Sequence, residues 1–250
     1  MKAVILAAGQ GSRLRPLTND RPKAMIDFHG RTLLERQIDR FLKFGITDIA
    51  VVTGYCHEVV KSDYPVKWFH NHEYGQTNMV YSLFCAESFL QGDIIVSYGD
   101  ILYEDQVLER LLCSERDIAV IGDKDWESYY ARRFGDPYLE AESFQYDADR
   151  RLVSIGKANA KPEEIMAQYI GLFKLNERGM HQAMTIYRDI KHSTLPVGWG
   201  KPFREAYMTD FLQELVKRDC PIYAELVNRG WHEIDSLSDY ELAKQDFIEK

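Results

Sequence analysis

The first 25 residues, MKAVILAAGQGSRLRPLTNDRPKAM, constrain the fold of this chain more than any other stretch. Their apolar run, Ala3–Ala7, predicts a buried strand. A loop follows with Gly9 and Gly11, which let the backbone turn tightly and direct N–H groups into a concavity that suits an anion. Arg13 and Lys23 then supply the positive charge that a phosphate needs. The segment therefore predicts a strand that leads into a polyphosphate-binding loop.

Two common phosphate-binding motifs are excluded by the residues of this loop. The pattern Gly-x4-Gly-Lys-Ser/Thr is absent, and the dinucleotide fingerprint Gly-x-Gly-x-x-Gly has Leu14 where its third glycine belongs. Gly9 and Gly11 alone would also fit an ordinary surface turn. The longer string Leu-Ala-Ala-Gly-x-Gly-x-Arg-Leu, followed by Pro22-Lys23, is much more specific.

Composition narrows the class of protein. The net charge of −8 argues against nucleic acid as the main partner of these 250 residues, because a polymer-binding surface usually has a basic excess. No apolar run approaches the roughly 20 residues that span a bilayer, and the first residues lack the pattern of a signal peptide. We therefore expect no membrane insertion. The four cysteines are scattered, which predicts reduced thiols in a cytoplasmic protein.

Strand and helix patterns alternate through the first half of the chain. Apolar runs predict strands at 49–53, 66–70, 94–98 and 117–121, and helical spacing predicts helices at 31–45, 77–90 and 104–112. This alternation predicts an α/β, Rossmann-like fold with a mostly parallel central sheet flanked by helices. Ligands bind such sheets outside the carboxyl ends of the strands, where Gly99-Asp100 lies. Beyond Gly122 short strands follow one another, and a closing helix is predicted at 236–248.

The N-terminal string resembles the signature of the sugar-nucleotide pyrophosphorylase-like nucleotidyltransferases. Within that group the chain is most similar to the bacterial choline-phosphate cytidylyltransferase branch, which includes enzymes for phosphocholine and phosphoglutamine; Asn78 followed by Tyr81-Ser82-Leu83 supports this placement. The resemblance extends over nearly the whole chain. It implies one nucleotidyltransferase domain, 1–250, with a nucleotide-binding half (about 1–121) and an acceptor-binding half (about 122–250).

The resemblance also implies roles for individual residues. Asp100 and Asp235 would hold Mg²⁺, although taken alone Asp100 also fits a turn and Asp235 also fits a helix N-cap. Arg13, Lys23 and Lys157 would be catalytic through their charge on the phosphates, with no general base, and an exposed surface lysine is the alternative for Lys157. The predicted nucleotide-binding residues are Ala8, Gly9, Gly11, Ser12, Arg13, Lys23, Thr77, Asn78 and Ser82.

The acceptor-binding residues are predicted from aromatic and basic side chains of the second half. They are Trp126, Tyr129, Arg132, Arg133, Lys157 and Trp231. The aromatic rings could surround a quaternary ammonium, or they could belong to the core. The arginines instead suggest an acceptor with a carboxylate or a second anion, such as phosphoglutamine.

These observations predict an Mg²⁺-dependent cytidylyltransferase, a monomer or homodimer, that transfers CMP from CTP to a small phosphomonoester and releases pyrophosphate. Its product would be a CDP-activated group for surface polysaccharide modification. One alternative is an NDP-sugar pyrophosphorylase that acts on a sugar 1-phosphate. Another is a catalytically silent nucleotide-binding subunit, which the presence of Arg13, Lys23, Asp100 and Asp235 disfavours.

Overall fold

The computed structural model describes residues 1–247. Its strands are β1 (Lys2–Ala7), β2 (Asp27–Phe28), β3 (Arg31–Thr32), β4 (Ile49–Thr53), β5 (Lys67–His70), β6 (Ile94–Tyr98), β7 (Ile101–Tyr103), β8 (Ile118–Asp123), β9 (Phe144–Tyr146), β10 (Leu152–Ile155), β11 (Gln168–Leu175), β12 (Tyr223–Val227) and β13 (Trp231–Glu233). Its helices are α1 (Leu33–Lys43), α2 (Met79–Cys85), α3 (Asp105–Leu112), α4 (Trp126–Phe134), α5 (Glu177–Lys191), α6 (Met208–Lys217) and α7 (Leu237–Asp246).

Seven strands form the central sheet in the order β12-β8-β11-β6-β1-β4-β5. Strand β11 is antiparallel to both β6 and β8, and the other neighbours are parallel. Helices cover both faces, so the central strands are apolar along their whole length. In β1, Val4 packs into the buried cluster on one face and Ile5 into that on the other. The predicted mostly parallel sheet is confirmed.

The predicted helices differ from the observed ones at their ends, most of all at the C-terminal end of α2. Helix α2 begins after the cap residue Asn78 and ends at Cys85, and a separate 3-10 turn, Glu87–Phe89, replaces the rest of the predicted helix. Helix α7 begins after Ser236, whose hydroxyl accepts a hydrogen bond from the Asp239 N–H, and runs to Asp246. Residue 248, where the predicted closing helix ends, lies outside the described residues.

Two glycines allow the loops at the carboxyl edge of the sheet to pack against β1. A Cβ on Gly54 would lie 2.7 Å from the Ala8 carbonyl oxygen, and a Cβ on Gly99 would lie 2.7 Å from the Leu6 carbonyl oxygen. A side chain at either position would therefore push the loop away from β1. The close approach brings Asp100, which follows Gly99, to the end of β1 where the glycine loop begins.

Candidate active site

The loop after β1 folds closely around Lys23. Gly11 has a φ of +65°, and a Cβ on it would lie 3.0 Å from the Lys23 Cβ, so glycine suits both the backbone and the space. The Thr18 hydroxyl donates a 2.8 Å hydrogen bond to the Gly11 carbonyl. Lys23 itself opens a short 3-10 turn whose next two residues, Ala24 and Met25, are buried. These contacts fix the base of the lysine side chain.

Three carboxylates, those of Asp100, Glu233 and Asp235, surround the Lys23 ammonium. One oxygen from each lies within 4.8 Å of the others. Lys23 Nζ donates a 2.7 Å hydrogen bond to Asp100 Oδ2 and also bonds to the Asp235 carboxylate. Arg13 Nη2 lies 3.0 Å from Asp235 Oδ2. The sheet edge therefore gathers two cations and three carboxylates in one place.

The pairing of β13 with β7 explains why these residues meet. Glu233 is registered opposite Ile101, and the Ile234 N–H donates a 2.9 Å hydrogen bond to the Asp100 carbonyl. Glu233 and Asp235 are two residues apart at the end of a strand, which places their side chains on the same face. Sequence reasoning missed Glu233, although this two-residue spacing from Asp235 was the signal that could have identified it.

Burial and the neighbouring charges shift the pKa values of the cluster in opposite directions. Burial raises the pKa of Glu233 to about 7, and the Asp235 charge adds to this effect. Burial would also raise the pKa of Asp235, but Lys23 and Arg13 outweigh it, so that pKa falls below its usual value. Burial would lower the pKa of Lys23, yet Asp100 and Asp235 raise it above the ordinary value. Lys23 is therefore protonated and Asp235 ionised at neutral pH.

The carboxylate oxygens of this cluster are suitable ligands for a hard divalent cation. Asp100 Oδ1 is buried, and no residue of 1–247 gives it a hydrogen bond, whereas Asp100 Oδ2 binds Lys23. A buried carboxylate oxygen without a partner is costly, and a cation would compensate it. Mg²⁺ prefers oxygen ligands, and in nucleotide sites it is usually bound by one or two carboxylates together with substrate phosphates. The predicted Mg²⁺ itself stays a prediction.

The first cavity, with a volume of about 400 Å³, lies between the glycine loop, the start of α2 and the carboxylate cluster. All nine predicted nucleotide-binding residues and both predicted metal ligands line it; they are Ala8, Gly9, Gly11, Ser12, Arg13, Lys23, Thr77, Asn78, Ser82, Asp100 and Asp235. Apart from Gly9 and its two chain neighbours, residues 1–247 place no atom within 4 Å of the position where a Cβ on Gly9 would stand, so space is open beside it. The structure thus brings this predicted set together.

The second cavity, with a volume of about 320 Å³, adjoins the first. The residues that line both cavities are Arg13, Met79, Tyr207, Glu233 and Asp235. Two of the predicted acceptor-binding residues, Arg133 and Trp231, line the second cavity. Two ligands, one in each cavity, would therefore meet at the Arg13 and carboxylate cluster.

The other predicted acceptor-binding residues lie elsewhere. Trp126 is buried and packs edge-on against Tyr130 and Tyr138. Arg132 pairs with Asp246, and together with Tyr129 it lines a third, separate cavity of about 210 Å³. Tyr129 also reaches the site indirectly, because its hydroxyl accepts a 2.9 Å hydrogen bond from the Glu233 N–H.

Lys157, which was predicted to be catalytic, lies outside the residues that line the first and second cavities. Its Nζ pairs with the Glu164 carboxylate at 2.8 Å, and its side chain is 40% exposed. An exposed pair of this kind constrains the side chain weakly. The proposed contact of Lys157 with an acceptor phosphate stays a prediction.

Arg133 holds the carboxylate cluster in place. Its side chain is 1% exposed, Nη1 lies 2.6 Å from Glu233 Oε2 and Nε lies 2.8 Å from Asp239 Oδ1. Asp239 in turn accepts hydrogen bonds from the Asp235 and Ser236 N–H groups. Because these carboxylates occupy the guanidinium, Arg133 positions Glu233 and does not offer a free fork to an acceptor anion.

A mostly parallel sheet with cavities outside the carboxyl ends of its strands is typical of nucleotide-binding α/β proteins. The chain belongs to the family of the MobA-like NTP transferase domain, whose model matches residues 3–162. The predicted resemblance to nucleotidyltransferases is thereby confirmed.

Named relatives agree with this family. The chain is 36% identical to the CTP:phosphoglutamine cytidylyltransferase of Campylobacter jejuni over 97% of its own length and 98% of that protein. It is also 36% identical to the choline-phosphate cytidylyltransferase of Streptococcus pneumoniae, over 42% of this chain and 47% of that protein. The predicted placement near the cytidylyltransferase branch is therefore confirmed.

Solved structures confirm the fold. The CTP:phosphocholine cytidylyltransferase from Streptococcus pneumoniae superposes with a TM-score of 0.76 at 23% identity, covering 99% of both chains. The inositol-1-phosphate CTP transferase from T. maritima gives a TM-score of 0.74 at 22% identity, covering 100% of this chain and 98% of that one. Among the helices of residues 1–247, none combines the length and the hydropathy that crossing a bilayer requires.

Proposed function

We propose that this protein is a CTP-dependent cytidylyltransferase that transfers CMP to a small, zwitterionic phosphorylated compound, with phosphoglutamine as the first candidate. The observation that carries the proposal is the match to a CTP:phosphoglutamine cytidylyltransferase over 97% of the chain. The site supports it, since two cavities large enough for a nucleotide and a small acceptor share Arg13 and Asp235.

The chain's own residues can promote this reaction through charge and position. CTP would occupy the first cavity and the acceptor the second, so that the acceptor phosphate faces the α-phosphate beside Lys23 and Arg13. Both reactants are anionic and repel each other, and the two cations would offset this repulsion as charge builds up in the transition state. A phosphate is already ionised at neutral pH, so no residue is needed to remove a proton from it.

Asp100 and Asp235 would hold Mg²⁺, with Glu233 next to them. When bound, the ion would neutralise charge on the triphosphate. The support is Asp100 Oδ1, which has no hydrogen-bond partner within residues 1–247, together with the three converging carboxylates. Lys23 lies between two of these carboxylates, and it would have to turn toward the phosphates when the ligands bind.

The second cavity has an acidic wall, which indicates an acceptor with a positive group. Glu140 and Glu142 line it together with Tyr130 and Tyr169. Burial, together with the charges of the acidic neighbours Asp210, Glu233 and Glu140, raises the pKa of Glu142 to about 7. The main charged neighbours of this carboxylate are acidic, and the amino group of the acceptor would supply a cation beside it. A neutral sugar would not supply this positive charge.

We also propose that the product, a CDP-activated group, is made in the cytoplasm for the modification of a surface polysaccharide. Cytoplasmic reduction of thiols agrees with the four free cysteines of the described chain, Cys56, Cys85, Cys113 and Cys220. A later transferase could pass the phosphorylated group from this product to a polysaccharide hydroxyl, with CMP as the leaving group. Metabolite analysis of a deletion strain would test it, because the CDP product should disappear.

The first experiment is a pyrophosphate-release assay with Mg²⁺, in which each NTP is paired with each acceptor of a panel. The panel contains phosphoglutamine, phosphocholine, phosphoethanolamine, glycerol phosphate and several sugar 1-phosphates. We expect release with CTP and an amino-bearing acceptor. Release only with sugar 1-phosphates would overturn the proposal in favour of a sugar-nucleotide enzyme, and silence with every pair would contradict the transferase reaction.

The acidic wall predicts a pH dependence of acceptor binding. Because the pKa of Glu142 is raised to about 7, its negative charge is present above that pH and is lost as the pH falls through it. The KM for an amino-bearing acceptor should rise about tenfold from pH 8 to pH 6 as the ionised fraction falls. The KM for CTP should change much less.

A Glu142→Gln variant separates this effect from the titration of the acceptor phosphate, which is common to both proteins. We expect the variant to have a raised acceptor KM at pH 8 and a flatter pH profile than the wild type. Glu163→Gln, a substitution of an exposed glutamate outside the second cavity, is the matched control. An unchanged acceptor KM in Glu142→Gln would remove the acidic wall from acceptor recognition.

A further inference from the structure

Asn71 connects the strand edge to two hydroxyl groups of the first cavity. It is 0% exposed, and its Nδ2 donates hydrogen bonds of 2.9 Å to Thr77 Oγ1 and 3.0 Å to Ser82 Oγ. Its Oδ1 accepts a 2.9 Å hydrogen bond from the Glu73 N–H. An N–H can only donate, so this bond establishes which end of the amide is oxygen and which is nitrogen. Both amide protons are therefore directed at hydroxyl oxygens.

Each of these hydroxyls also has its single proton in use. Thr77 Oγ1 donates to the Glu73 carbonyl at 2.8 Å, and Ser82 Oγ donates to the Asn78 carbonyl at 3.2 Å. A carbonyl oxygen can only accept, so the proton belongs to the hydroxyl in both bonds. With one proton donated and one lone pair taken by Asn71, each hydroxyl keeps a single unused lone pair. Toward a further partner, both groups are acceptors.

We infer that Asn71 is a positioning residue that fixes Thr77 and Ser82 as hydrogen-bond acceptors in the first cavity, and that this pair selects a nucleotide base with an exocyclic amino group. The inference rests on the proposed use of CTP, and it gives a structural reason why the site would prefer CTP to UTP. Both hydroxyl-bearing residues line the first cavity. Asn71 is not among the residues that line it, so it acts through them.

The chemistry of the pyrimidine bases gives the expected direction of selectivity. At the same ring position, cytosine carries an amine that donates, whereas uracil carries a carbonyl oxygen that accepts. The Thr77 and Ser82 hydroxyl oxygens, which can only accept from the base, can bond to the cytosine amine and would repel the uracil oxygen. Turning either hydroxyl proton toward uracil would break its bond to the Glu73 or Asn78 carbonyl, and each carbonyl would then keep only its backbone partner, the Gln76 or Ser82 N–H. Sites whose polar groups are arranged to hydrogen-bond one substrate discriminate strongly against a similar substrate that cannot make those bonds.

An alternative role for Asn71 is purely structural, since its N–H also donates 2.8 Å to the Thr53 carbonyl and its side chain supports the 71–82 segment. The two roles differ in what they change. Loss of support alone would weaken the binding of every nucleotide by a similar factor. Loss of the fixed acceptors would change the ratio between CTP and UTP.

The test measures the affinities of CTP and UTP by titration calorimetry for the wild type, Asn71→Ala, Thr77→Val and Ser82→Ala. We expect the CTP preference of the wild type to fall at least about tenfold in Asn71→Ala, because the hydroxyls can then turn. Asn228→Ala, at an exposed position, should keep the wild-type ratio. Each variant's melting temperature is recorded beside its affinities.

Two outcomes would overturn the positioning role of Asn71. An unchanged ratio in Asn71→Ala, with both affinities reduced equally, would overturn the inference in favour of a structural role. If Asn71→Ala does not fold, an unchanged ratio in both Thr77→Val and Ser82→Ala would overturn it. Binding is measured without turnover, so a wild-type protein that prefers CTP but transfers nothing would contradict the proposed reaction and leave this inference standing.

Discussion

Replacing Lys23 by methionine is expected to reduce kcat/KM by roughly 10³-fold, because a preorganised cation at the reacting phosphates is lost. Methionine fills similar space without the charge. Lys23 Nζ lies 2.7 Å from Asp100 Oδ2 and also bonds to Asp235, so it stands at the centre of the cluster. Steady-state kinetics of pyrophosphate release would measure the loss. Lys61→Met, at an exposed position, is the matched control and should retain wild-type activity.

The same variant has a second expected effect, on metal binding. Without the ammonium, the carboxylates of Asp100, Glu233 and Asp235 repel one another within a 4.8 Å cluster. Mn²⁺, used as a spectroscopic probe for Mg²⁺, should therefore bind Lys23→Met more tightly than the wild type. Near-normal turnover in Lys23→Met would remove the lysine from the mechanism, and weaker Mn²⁺ binding would contradict the assignment of these carboxylates as ligands.

Replacing Asp100 by asparagine is expected to lower turnover by at least about 100-fold while the protein stays folded. The substitution keeps the shape of the side chain and removes the negative charge. It acts at the one carboxylate of the cluster that has a buried oxygen with no hydrogen-bond partner in residues 1–247. Mn²⁺ titration followed by electron paramagnetic resonance should show weaker binding in the variant, in parallel with the loss of turnover.

Asp63→Asn is the control for this change, because Asp63 is exposed and outside both cavities. It should bind Mn²⁺ and turn over as the wild type does. If Asp100→Asn kept wild-type turnover and Mn²⁺ affinity, Asp100 would not be a metal ligand. If turnover fell while Mn²⁺ affinity stayed normal, the role of Asp100 would be confined to orienting Lys23.

Much of the nucleotide half was predictable because its signals are local. A strand buried on both faces shows a continuous apolar run, as in Val4 and Ile5 of β1, and the glycines after it identify the loop. All nine predicted nucleotide-binding residues line one cavity for this reason. The sequence also predicted a mostly parallel sheet, although it did not predict that β11 is inserted antiparallel between β6 and β8.

The second cavity was harder to predict because distant segments build it. Glu142 and Tyr169 come from different parts of the chain, and nothing in their own neighbourhoods marks them as neighbours. Trp126 has the same sequence character as a ligand-binding tryptophan, yet it packs into the core. Arg133 looked like an anion-binding residue, but its partners Glu233 and Asp239 follow it by 100 and 106 positions. Long-range pairing of this kind leaves no local pattern.

The most direct test of the proposed function is mass spectrometry of the reaction of purified protein with CTP, Mg²⁺ and phosphoglutamine. We expect a product whose mass is that of the acceptor plus CMP less the water eliminated in forming the new bond, with one pyrophosphate released per product. CMP alone, formed with pyrophosphate in the presence of the acceptor, would show hydrolysis and contradict transfer. No product from phosphoglutamine or any other amino-bearing phosphomonoester, together with an NDP-sugar from a sugar 1-phosphate, would contradict the proposed acceptor class.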